Sequence, residues 1–237
     1  MMPIIPVIDL LNGLVVHAKK GERQHYQAIQ SQLTHSAEPL DIVAALLALY
    51  PFKQLYIADL NAIQKTTGRF NNNYSAITAI TQQFPHLTIW LDAGIGNPIE
   101  LSLWQKLNLR LVLASENFTE ISHYSALAAS QQDFILSLDF FAQGYQGPAE
   151  LLVNAEHWPQ DVIVMSLAKV GTDLGVDQAL LSHIVHRANH SLIYAAGGVR
   201  NAADLMLLKE LGVSGSLIAS ALHQQQISSI EIQAHCT

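Results

Sequence analysis

The feature of this sequence that most restricts its fold is a regular alternation between short apolar runs and longer amphipathic runs, which continues along the whole chain. Most of the short runs are apolar at consecutive positions, which is typical of strands covered by helices on both faces. The predicted strands are Ile4–Asp9, Gln54–Leu60, Leu87–Asp92, Leu109–Ala114, Phe134–Phe140, Val162–Leu167, Leu192–Ala196 and Gly215–Ala219. The predicted helices are Pro39–Tyr50, Asn73–Phe84, Pro98–Leu107, Phe118–Ala129, Asp177–Ala188, Ala202–Leu211 and, as the last, Gln224–Gln233, with a weaker stretch at Pro148–His157. Eight strand–helix units predict a single α/β domain over residues 1–237 with a (β/α)8 barrel fold.

An internal repeat favours the closed barrel over an open, doubly wound sheet. Three segment pairs recur at offsets of 105, 104 and 107 residues: Leu111–Ser115 with Ser216–Ser220, Ala93–Ile95 with Gly197–Val199, and Ile57–Leu60 with Val164–Leu167. The near-constant offset predicts two homologous half-barrels of four units each. The first strands of the two halves are 130 residues apart, which predicts about 23 extra residues within Asn12–Glu38. That segment is interpreted as a short hairpin (Leu14–Ala18) and a polar loop, and long loops are often functional.

Composition limits the classes of function. Half of the residues are hydrophobic and 13% are charged, so the chain can bury a large core and is not disordered. Twelve Lys and Arg against nineteen Asp and Glu give a net charge of −7 without a basic stripe, so no nucleic-acid partner is expected. No apolar run reaches the roughly 18 residues that span a bilayer, so no membrane partner is expected either. One cysteine, Cys236, and an N-terminus without a basic leader region favour a cytoplasmic protein.

Two aspartates mark the ends of equivalent strands. In a (β/α)8 barrel the active site lies at the carboxyl ends of the strands, and Asp9 and Asp139 end the first and fifth predicted strands. Two carboxylates that face each other across a site can divide the roles of general acid and base. The alternative is that each caps a loop by accepting hydrogen bonds from backbone amides. The pair is predicted to be catalytic, because a charge after a wholly apolar strand is otherwise costly.

Glycine-rich strand ends predict where a phosphorylated small-molecule substrate would bind. A phosphate site after strands seven and eight is a recurrent feature of barrels, because glycine and helix N-termini expose backbone N–H groups. The predicted phosphate ligands are Gly197, Gly198, Ala219 and Ser220, with Gly171 and Thr172 as further contributors. The repeat predicts a second candidate phosphate site at Gly94, Ala114 and Ser115, although Asp92 beside it would repel an anion. Plain glycine turns are the alternative in each case.

Other polar residues near strand ends are weaker candidates. Asp59, Lys20 and Lys169 are candidate substrate contacts, and either lysine could instead be a solvated loop charge or a Schiff-base nucleophile. Three histidines, His17, His25 and His35, share the first loop, but their spacing fits no zinc signature. The sequence therefore predicts neither a metal site nor a cofactor. Trp90, Trp104 and Trp158 are expected in the core.

These motifs together resemble a known family. Ile5-Pro6-Val7-Ile8-Asp9-Leu10, followed by Asn12-Gly13-Leu14-Val15-Val16, is similar to the opening of the histidine-biosynthesis barrels HisA and HisF. The resemblance extends over essentially the whole chain, through Leu138-Asp139, Gly171-Thr172, Gly197-Gly198-Val199 and Ala219-Ser220. It implies that Asp9 and Asp139 act as general acid and base. It also implies an Amadori rearrangement, which opens an aminoaldose and moves a proton from C2 of a substrate with two phosphates.

The sequence departs from the HisA pattern at functional positions. Met165 stands where the isomerase has a catalytic Thr at the end of strand six, and Met cannot relay a proton. Ser166 replaces the neighbouring acidic residue, and Asp92-Ala93-Gly94 has fewer glycines than the usual first phosphate loop. These differences count against the isomerase reaction and a second phosphate. Segments such as Val16-His17-Ala18, Gly21-Glu22-Arg23 and Tyr56–Leu60 resemble a related branch found in methanogens and methylotrophs, which is associated with methanopterin-linked one-carbon metabolism.

Three hypotheses therefore follow from the sequence. The first is a barrel enzyme that isomerises a sugar phosphate or ribotide by acid–base chemistry, in histidine biosynthesis or a related cofactor pathway. The second is Schiff-base chemistry on Lys169 or on a lysine of the first loop. The third is a non-catalytic relative that keeps only the phosphate site, which is suggested by Met165.

Overall fold

A computed structural model describes residues 2–18, 25–67, 71–131, 133–171 and 174–236. The strands in these ranges are β1 (Ile4–Leu11), β2 (Leu14–Val16), β3 (Gln54–Asp59), β4 (Thr88–Asp92), β5 (Arg110–Ala114), β6 (Phe134–Phe141), β7 (Gly144–Gln146), β8 (Asp161–Ser166), β9 (Leu192–Ala196) and β10 (Gly215–Ile218). Eight of them pair in parallel, in the order β1, β3, β4, β5, β6, β8, β9 and β10. The last strand pairs with the first, with Ile4 opposite Ser216, so the ring is closed. The predicted (β/α)8 barrel is confirmed.

Helices connect successive barrel strands. They are α1 (Pro39–Leu49), α2 (Leu60–Ile63), α3 (Tyr74–Gln83), α4 (Pro98–Trp104), α5 (Ile121–Ala129), α6 (Ala149–Val153), α7 (Gln178–Arg187), α8 (Ala202–Glu210), α9 (Ser220–His223) and α10 (Ser229–Cys236). Side-chain oxygens of Asn97, Asp177 and Asn201 accept hydrogen bonds from the first N–H groups of α4, α7 and α8. These caps set where the helices begin, because they satisfy donors that have no partner within the helix.

The predicted bounds of the final helix, Gln224–Gln233, are wrong, because the helix lies at Ser229–Cys236. The chain turns at Gln225, which has φ of 52°, and the helix begins only at Ser229. Ser228 sets this start, because its N–H donates to Glu231 Oε2 at 2.7 Å while its Oγ accepts from the Glu231 N–H at 3.3 Å. This reciprocal pair is a capping box. The predicted Pro148–His157 helix is also interrupted, because Asn154 accepts from the Glu156 N–H and starts a separate 3-10 turn.

A hairpin follows the first strand of each half of the barrel. β2 pairs with β1 so that Asp9 lies opposite Val16, and β7 pairs with β6 so that Asp139 lies opposite Gln146. The first hairpin was predicted at Leu14–Ala18, whereas the second was not predicted. Because both aspartates have the same relation to their hairpins, the extra residues of the first half lie after β2 and not in the hairpin. The origin of the two halves as a duplication stays a prediction.

The core has two layers. Side chains between the strands and the helices form the larger layer, and residues such as Ile5, Trp90, Ile135 and Ile163 fill the inside of the barrel. Burial of each large apolar side chain stabilises the fold by about 1.5–3 kcal/mol. Because many such side chains are packed on both sides of the strands, the barrel is a stable support for the loops at its mouth. The three tryptophans are buried, as expected. Within the described residues, no helix is long and apolar enough to cross a membrane.

Candidate active site

A cavity of about 280 Å³ opens at the carboxyl ends of the barrel strands. Most of the residues predicted to be catalytic or phosphate-binding lie in its wall: Asp9, Asp139, Gly171, Gly197, Gly198, Ala219 and Ser220. The closed ring brings these positions together, although they are up to about 210 residues apart in the chain. The roles of these residues remain predictions, but their placement around one cavity agrees with the expected site.

Asp139 is almost completely buried at the base of this cavity, with 3% of its surface exposed. Its Oδ1 accepts a hydrogen bond from Ser137 Oγ at 2.6 Å, and its Oδ2 accepts from Ser115 Oγ at 3.1 Å and from the Glu116 N–H at 3.2 Å. Burial and the nearby charges of Glu116 and Asp92 outweigh these bonds and raise the pKa of Asp139 to about 8. At neutral pH the Asp139 carboxyl therefore holds a proton that it can donate.

The hydroxyl of Tyr56 lies close enough to Asp9, Asp92 and Asp139 to be affected by the charge of all three carboxylates. Its buried hydroxyl donates to Asp92 Oδ2 at 3.2 Å. Burial raises the pKa of Tyr56 well above its ordinary value, and the charges of Asp92, Asp139 and Asp9 raise it further. Asp9, which is only partly buried, and Asp139 therefore both face the interior of the mouth around this phenol. Two carboxyl groups in such different environments can act as a separate acid and base.

Two glycines form the wall below the predicted phosphate site. Gly197 and Gly198 have φ of 96° and 88°. A Cβ would lie 2.6 Å from the Ser166 carbonyl oxygen at Gly197 and 2.3 Å from the Gly175 carbonyl oxygen at Gly198. Because both the conformation and the close approach of backbone require glycine here, these residues are needed for the shape of this wall.

Arg200 follows the two glycines and also lines the cavity. Its Nε and Nη2 donate to the two carboxylate oxygens of Asp204, each at 2.9 Å, and this bidentate contact lowers the pKa of Asp204. Among the described residues in the cavity wall, Arg200 is the only Arg or Lys. Held in this way, its guanidinium can attract an anion to the loop after β9.

On the other side of the predicted phosphate site, Ser220 begins the short helix α9. Its Oγ lies 3.3 Å from Nε2 of His17, which also lines the cavity. Behind it, His223 is buried, with Nδ1 3.1 Å from Ser31 Oγ, and burial lowers its pKa to about 4. His223 is therefore neutral at physiological pH and anchors the loop that follows β2.

The second candidate phosphate site, at Gly94, Ala114 and Ser115, differs from the first because its polar groups are bonded within the protein. Ser115 is completely buried, with its Oγ 3.1 Å from Asp139 Oδ2 and 2.7 Å from the Gln146 carbonyl oxygen. The Gly94 N–H donates to Asp92 Oδ1 at 3.0 Å. Neither these two residues nor Ala114 are among the residues that line the cavity. The structure thus places all three beside the site but behind its wall.

Four other candidates lie away from the cavity or outside the described structure. Asp59 is completely buried and accepts hydrogen bonds from the Ala62 N–H and from the backbone and side chain of Asn73. Lys169 ends the 3-10 turn after β8 and does not line the cavity. Lys20 and Thr172 fall outside the described residues. In the described parts of the chain, no group of three or more His, Cys, Asp or Glu residues is arranged to hold a metal ion.

Sequence reasoning did not name Tyr56, Asp92, Glu116 or Arg200 as site residues, yet all four line the cavity. Asp92 ends a predicted strand, as Asp9 does, so the rule that selected Asp9 from its position at a strand end could also have selected Asp92. Tyr56 lies inside its strand and gave no signal. Met165 also lines the cavity, and in register it lies between Asp139 of β6 and Ala196 of β9. The wall therefore has a thioether where the HisA resemblance implies a hydroxyl.

Comparison with known proteins agrees with this architecture. Residues 3–228 match the family model described as histidine biosynthesis protein. An uncharacterized protein of Methanocaldococcus jannaschii is 28% identical over 98% of this chain and 97% of its own length. Proteins named 1-(5-phosphoribosyl)-5-((5-phosphoribosylamino)methylideneamino) imidazole-4-carboxamide isomerase are 22% identical in Buchnera aphidicola and 24% identical in Pseudomonas putida, over at least 95% of both chains. Since the family model covers nearly the whole sequence, the chain belongs to the histidine biosynthesis protein family.

Proposed function

We propose that this protein is an isomerase that converts a phosphorylated aldose or ribotide into the corresponding ketose by acid–base catalysis. The observation that carries the proposal is the pairing of a buried, proton-holding carboxyl (Asp139) with a partly exposed carboxyl (Asp9) around one cavity. The isomerases among the relatives support this class of reaction.

The two carboxyl groups suggest separate roles. Asp139 donates its proton to the ring oxygen of an aminoaldose while the C1–O bond breaks, which leaves a C1 iminium group. Asp9, which carries a smaller desolvation cost in its charged form, removes the proton from C2. The electrons of the C2–H bond then form a C1=C2 bond while those of the C1=N bond return to nitrogen, which gives an enaminol. Asp9 returns its proton to C1, and the C2 hydroxyl gives its proton to Asp139 as the C2 carbonyl of the ketose forms, so both carboxyl groups regain their starting states. The rearrangement is redox-neutral and requires no external electron donor.

The loops after β9 and β10 bind the phosphate of the substrate in this proposal. Gly197, Gly198 and Ser220 provide a wall in which backbone approaches closely, and Arg200 provides a positive charge. Together they would fix the sugar so that C1 and C2 lie near Asp9 and Asp139. Such positioning is itself a large part of the rate enhancement, because it replaces a loss of entropy in the transition state.

Deuterium exchange tests this chemistry across many candidate substrates at once. The protein is incubated in D2O with a panel of phosphorylated aldoses and aminoaldoses, and uptake of deuterium at C2 or C1 is followed by mass spectrometry. We expect Asp9→Asn and Asp139→Asn each to reduce exchange by about 10²–10⁴-fold, whereas exposed Glu210→Gln leaves it unchanged. If an exchanged compound is found and both aspartate variants process it at the wild-type rate, the acid–base proposal is wrong.

The most concrete version is the reaction of the named imidazole-4-carboxamide isomerases. It is tested by complementation of a histidine auxotroph that lacks this isomerase. Growth would support the reaction, and no growth despite soluble expression would exclude it. The broader acid–base proposal would be unaffected.

A second candidate keeps the chemistry but changes the substrate. Met165 in the cavity wall beside Asp139 provides no proton and no hydrogen-bond donor. This favours a related enzyme for a different phosphorylated compound, such as one of methanopterin-linked one-carbon metabolism. Failure to complement together with deuterium exchange on another sugar phosphate would select this candidate. A non-catalytic phosphate-binding relative would bind such a compound without exchanging its protons.

A further inference from the structure

The barrel places two pairs of loops opposite each other across the mouth. In the closed order of eight strands, β4 and β5 lie four positions from β9 and β10, so the two pairs are diametrically opposed. We name residues 93–97 and 115–117, which follow β4 and β5, the distal loops. A substrate whose phosphate is bound after β9 and β10 extends toward them.

Backbone N–H groups of the distal loops are already bonded to carboxylates of the protein. The Gly94 N–H donates to Asp92 Oδ1 at 3.0 Å, the Gly96 N–H to Glu100 Oε2 at 2.8 Å, and the Glu116 N–H to Asp139 Oδ2 at 3.2 Å. Groups of this kind bind phosphate when they point into a cavity. In these loops, the three N–H groups already have carboxylate acceptors within the chain and are not available to a phosphate.

The glycine of the first distal loop is explained by packing. Gly94 has φ of 61°, and a Cβ would lie 2.6 Å from Cα of Ile63 in α2. The residue therefore allows the loop to pack on α2, and it does not open a path for a ligand to the backbone. This contrasts with Gly197 and Gly198, which belong to the cavity wall itself.

Charge at the distal loops is also unfavourable for an anion. Asp92, Glu116 and Asp139 line this side of the cavity, and each would repel a phosphate when ionised. Lys65 lies near these loops, but its ammonium group contacts the Gly94 carbonyl oxygen and Glu100 Oε1, the latter at 2.7 Å. It is not among the described residues that line the cavity.

We infer that the cavity accepts a substrate with one phosphate, bound after β9 and β10, and excludes a second phosphate at the distal loops. The far end of the substrate is then a neutral or amine-bearing polar group, whose hydroxyl or amine hydrogens match the carboxylates of Asp92 and Glu116. The inference rests on the proposed function, whose phosphate site it uses. It differs from the substrate in the names of the isomerase relatives, which contain two phosphoribosyl groups.

The first test counts bound phosphates. The full chain is crystallised with saturating inorganic phosphate, and the number of ions in the cavity is read from the electron density. We expect one phosphate, in contact with Gly198, Arg200 or Ser220. A second phosphate at the distal loops, or no phosphate at the loops after β9 and β10, would overturn the inference. Because this test measures binding alone, its result is independent of whether Asp9 and Asp139 perform the proposed chemistry.

The second test compares two ligands that differ by one phosphate. Dissociation constants of D-ribulose 5-phosphate and D-ribulose 1,5-bisphosphate are measured by calorimetry at constant ionic strength. We expect the dissociation constant of the bisphosphate to be about tenfold higher, because the carboxylates of Asp92 and Glu116 repel the second phosphate. A tenfold change in Kd requires only about 1.4 kcal/mol of repulsion. Tighter binding of the bisphosphate would refute the exclusion of a second phosphate.

The variant Glu100→Ala tests whether Glu100 contributes to the exclusion of a second phosphate. Glu100→Ala releases the Gly96 N–H and the Lys65 ammonium, so we expect the affinity for the bisphosphate, relative to the monophosphate, to rise by about tenfold. Glu210→Ala removes the same charge at the exposed end of α8 and is the matched control. Thermal denaturation of both variants checks that they fold. An unchanged ratio in folded Glu100→Ala would refute the role of Glu100.

Discussion

The buried carboxyl of Asp139 should cost the protein stability in a way that pH reveals. Its pKa is about 8 in the folded chain, against an ordinary value of 3.8. Between these values the folded state binds a proton that the unfolded state has released. Stability therefore falls as pH rises through this range, because the difference in bound protons favours unfolding at higher pH. Above pH 8 the full cost is present, and below pH 4 it is absent.

The magnitude follows from the same shift. Each pH unit within this window removes about 1.4 kcal/mol, so Asp139 alone lowers the free energy of unfolding by up to about 3–4 kcal/mol between pH 5 and pH 8. Asp139→Asn has no such proton to lose. Its amide can still accept from the Glu116 N–H and donate to Ser137 Oγ, so the local hydrogen bonds survive. We therefore expect the variant to become progressively more stable than wild type as pH rises.

Urea unfolding at pH 5, 6, 7 and 8 measures this effect. The difference in free energy of unfolding between Asp139→Asn and wild type should grow by about 3 kcal/mol across the series, which for a chain of this size corresponds to roughly 10 °C in Tm. Other titrating groups are common to both proteins and cancel in the difference. Glu210→Gln should show no trend. A difference between Asp139→Asn and wild type that stays constant within about 1 kcal/mol would refute the raised pKa and, with it, the assignment of Asp139 as the acid.

Three further predictions concern the scaffold. Gly198→Ala places a methyl group 2.3 Å from the Gly175 carbonyl oxygen, so thermal denaturation should show a loss of more than about 2 kcal/mol, and calorimetry should show weaker phosphate binding. Because burial lowers the pKa of His223 to about 4, stability should fall as pH drops from about 6.5 toward 4, and His223→Asn should reduce this fall by up to about 2–3 kcal/mol in urea unfolding. Arg110→Met leaves the buried carboxylate of Asp161 without its 2.7 Å partner and should cost about 2–4 kcal/mol by thermal denaturation. If any of these variants has the same stability as the wild type under the stated conditions, the contact or burial from which its effect was derived is refuted.

The barrel could be predicted from sequence because its signal is local and repeated. Each strand is a short apolar run between turn residues, and β9 has the predicted bounds, Leu192–Ala196. Errors occurred where a few side-chain hydrogen bonds decide, as at the capping box that moves the last helix to Ser229. β7 was missed because Gly144–Gln146 is too short for a periodic pattern and is defined by its pairing with β6.

Position along a strand was sufficient to predict several of the side chains that line the cavity, whereas their roles stay predictions. Asp9 and Asp139 could be chosen because the carboxyl ends of barrel strands converge, whatever the packing between them. Asp59 was chosen by the same rule, yet it is turned into the protein, where it bonds to Asn73. Sequence alone does not tell whether the last side chain of a strand faces the mouth or the helices. Tyr56 could not be found, because its role depends on carboxylates from other strands.

The placement of Asp59 helps to explain how the barrel holds its two strand-end aspartates in different environments. Asn73, which is bonded to Asp59, accepts from the Gly13 N–H at 2.8 Å, and Asn61 accepts from the Asn12 N–H at 2.8 Å. This buried network fixes the turn of the first hairpin, whose strand β2 pairs with β1 at Asp9, and Asp9 is only partly buried.

In the second half, Asp139 is held by direct hydrogen bonds to its carboxyl group from Ser137, Ser115 and the Glu116 N–H. Asp139 is almost completely buried whereas Asp9 is only partly buried, and burial favours the protonated form of a carboxyl group. The difference between base and acid in the proposed mechanism therefore follows from the different burial of the two aspartates. To reverse the two roles, the burial of the two positions would have to be exchanged, because the two side chains are chemically identical.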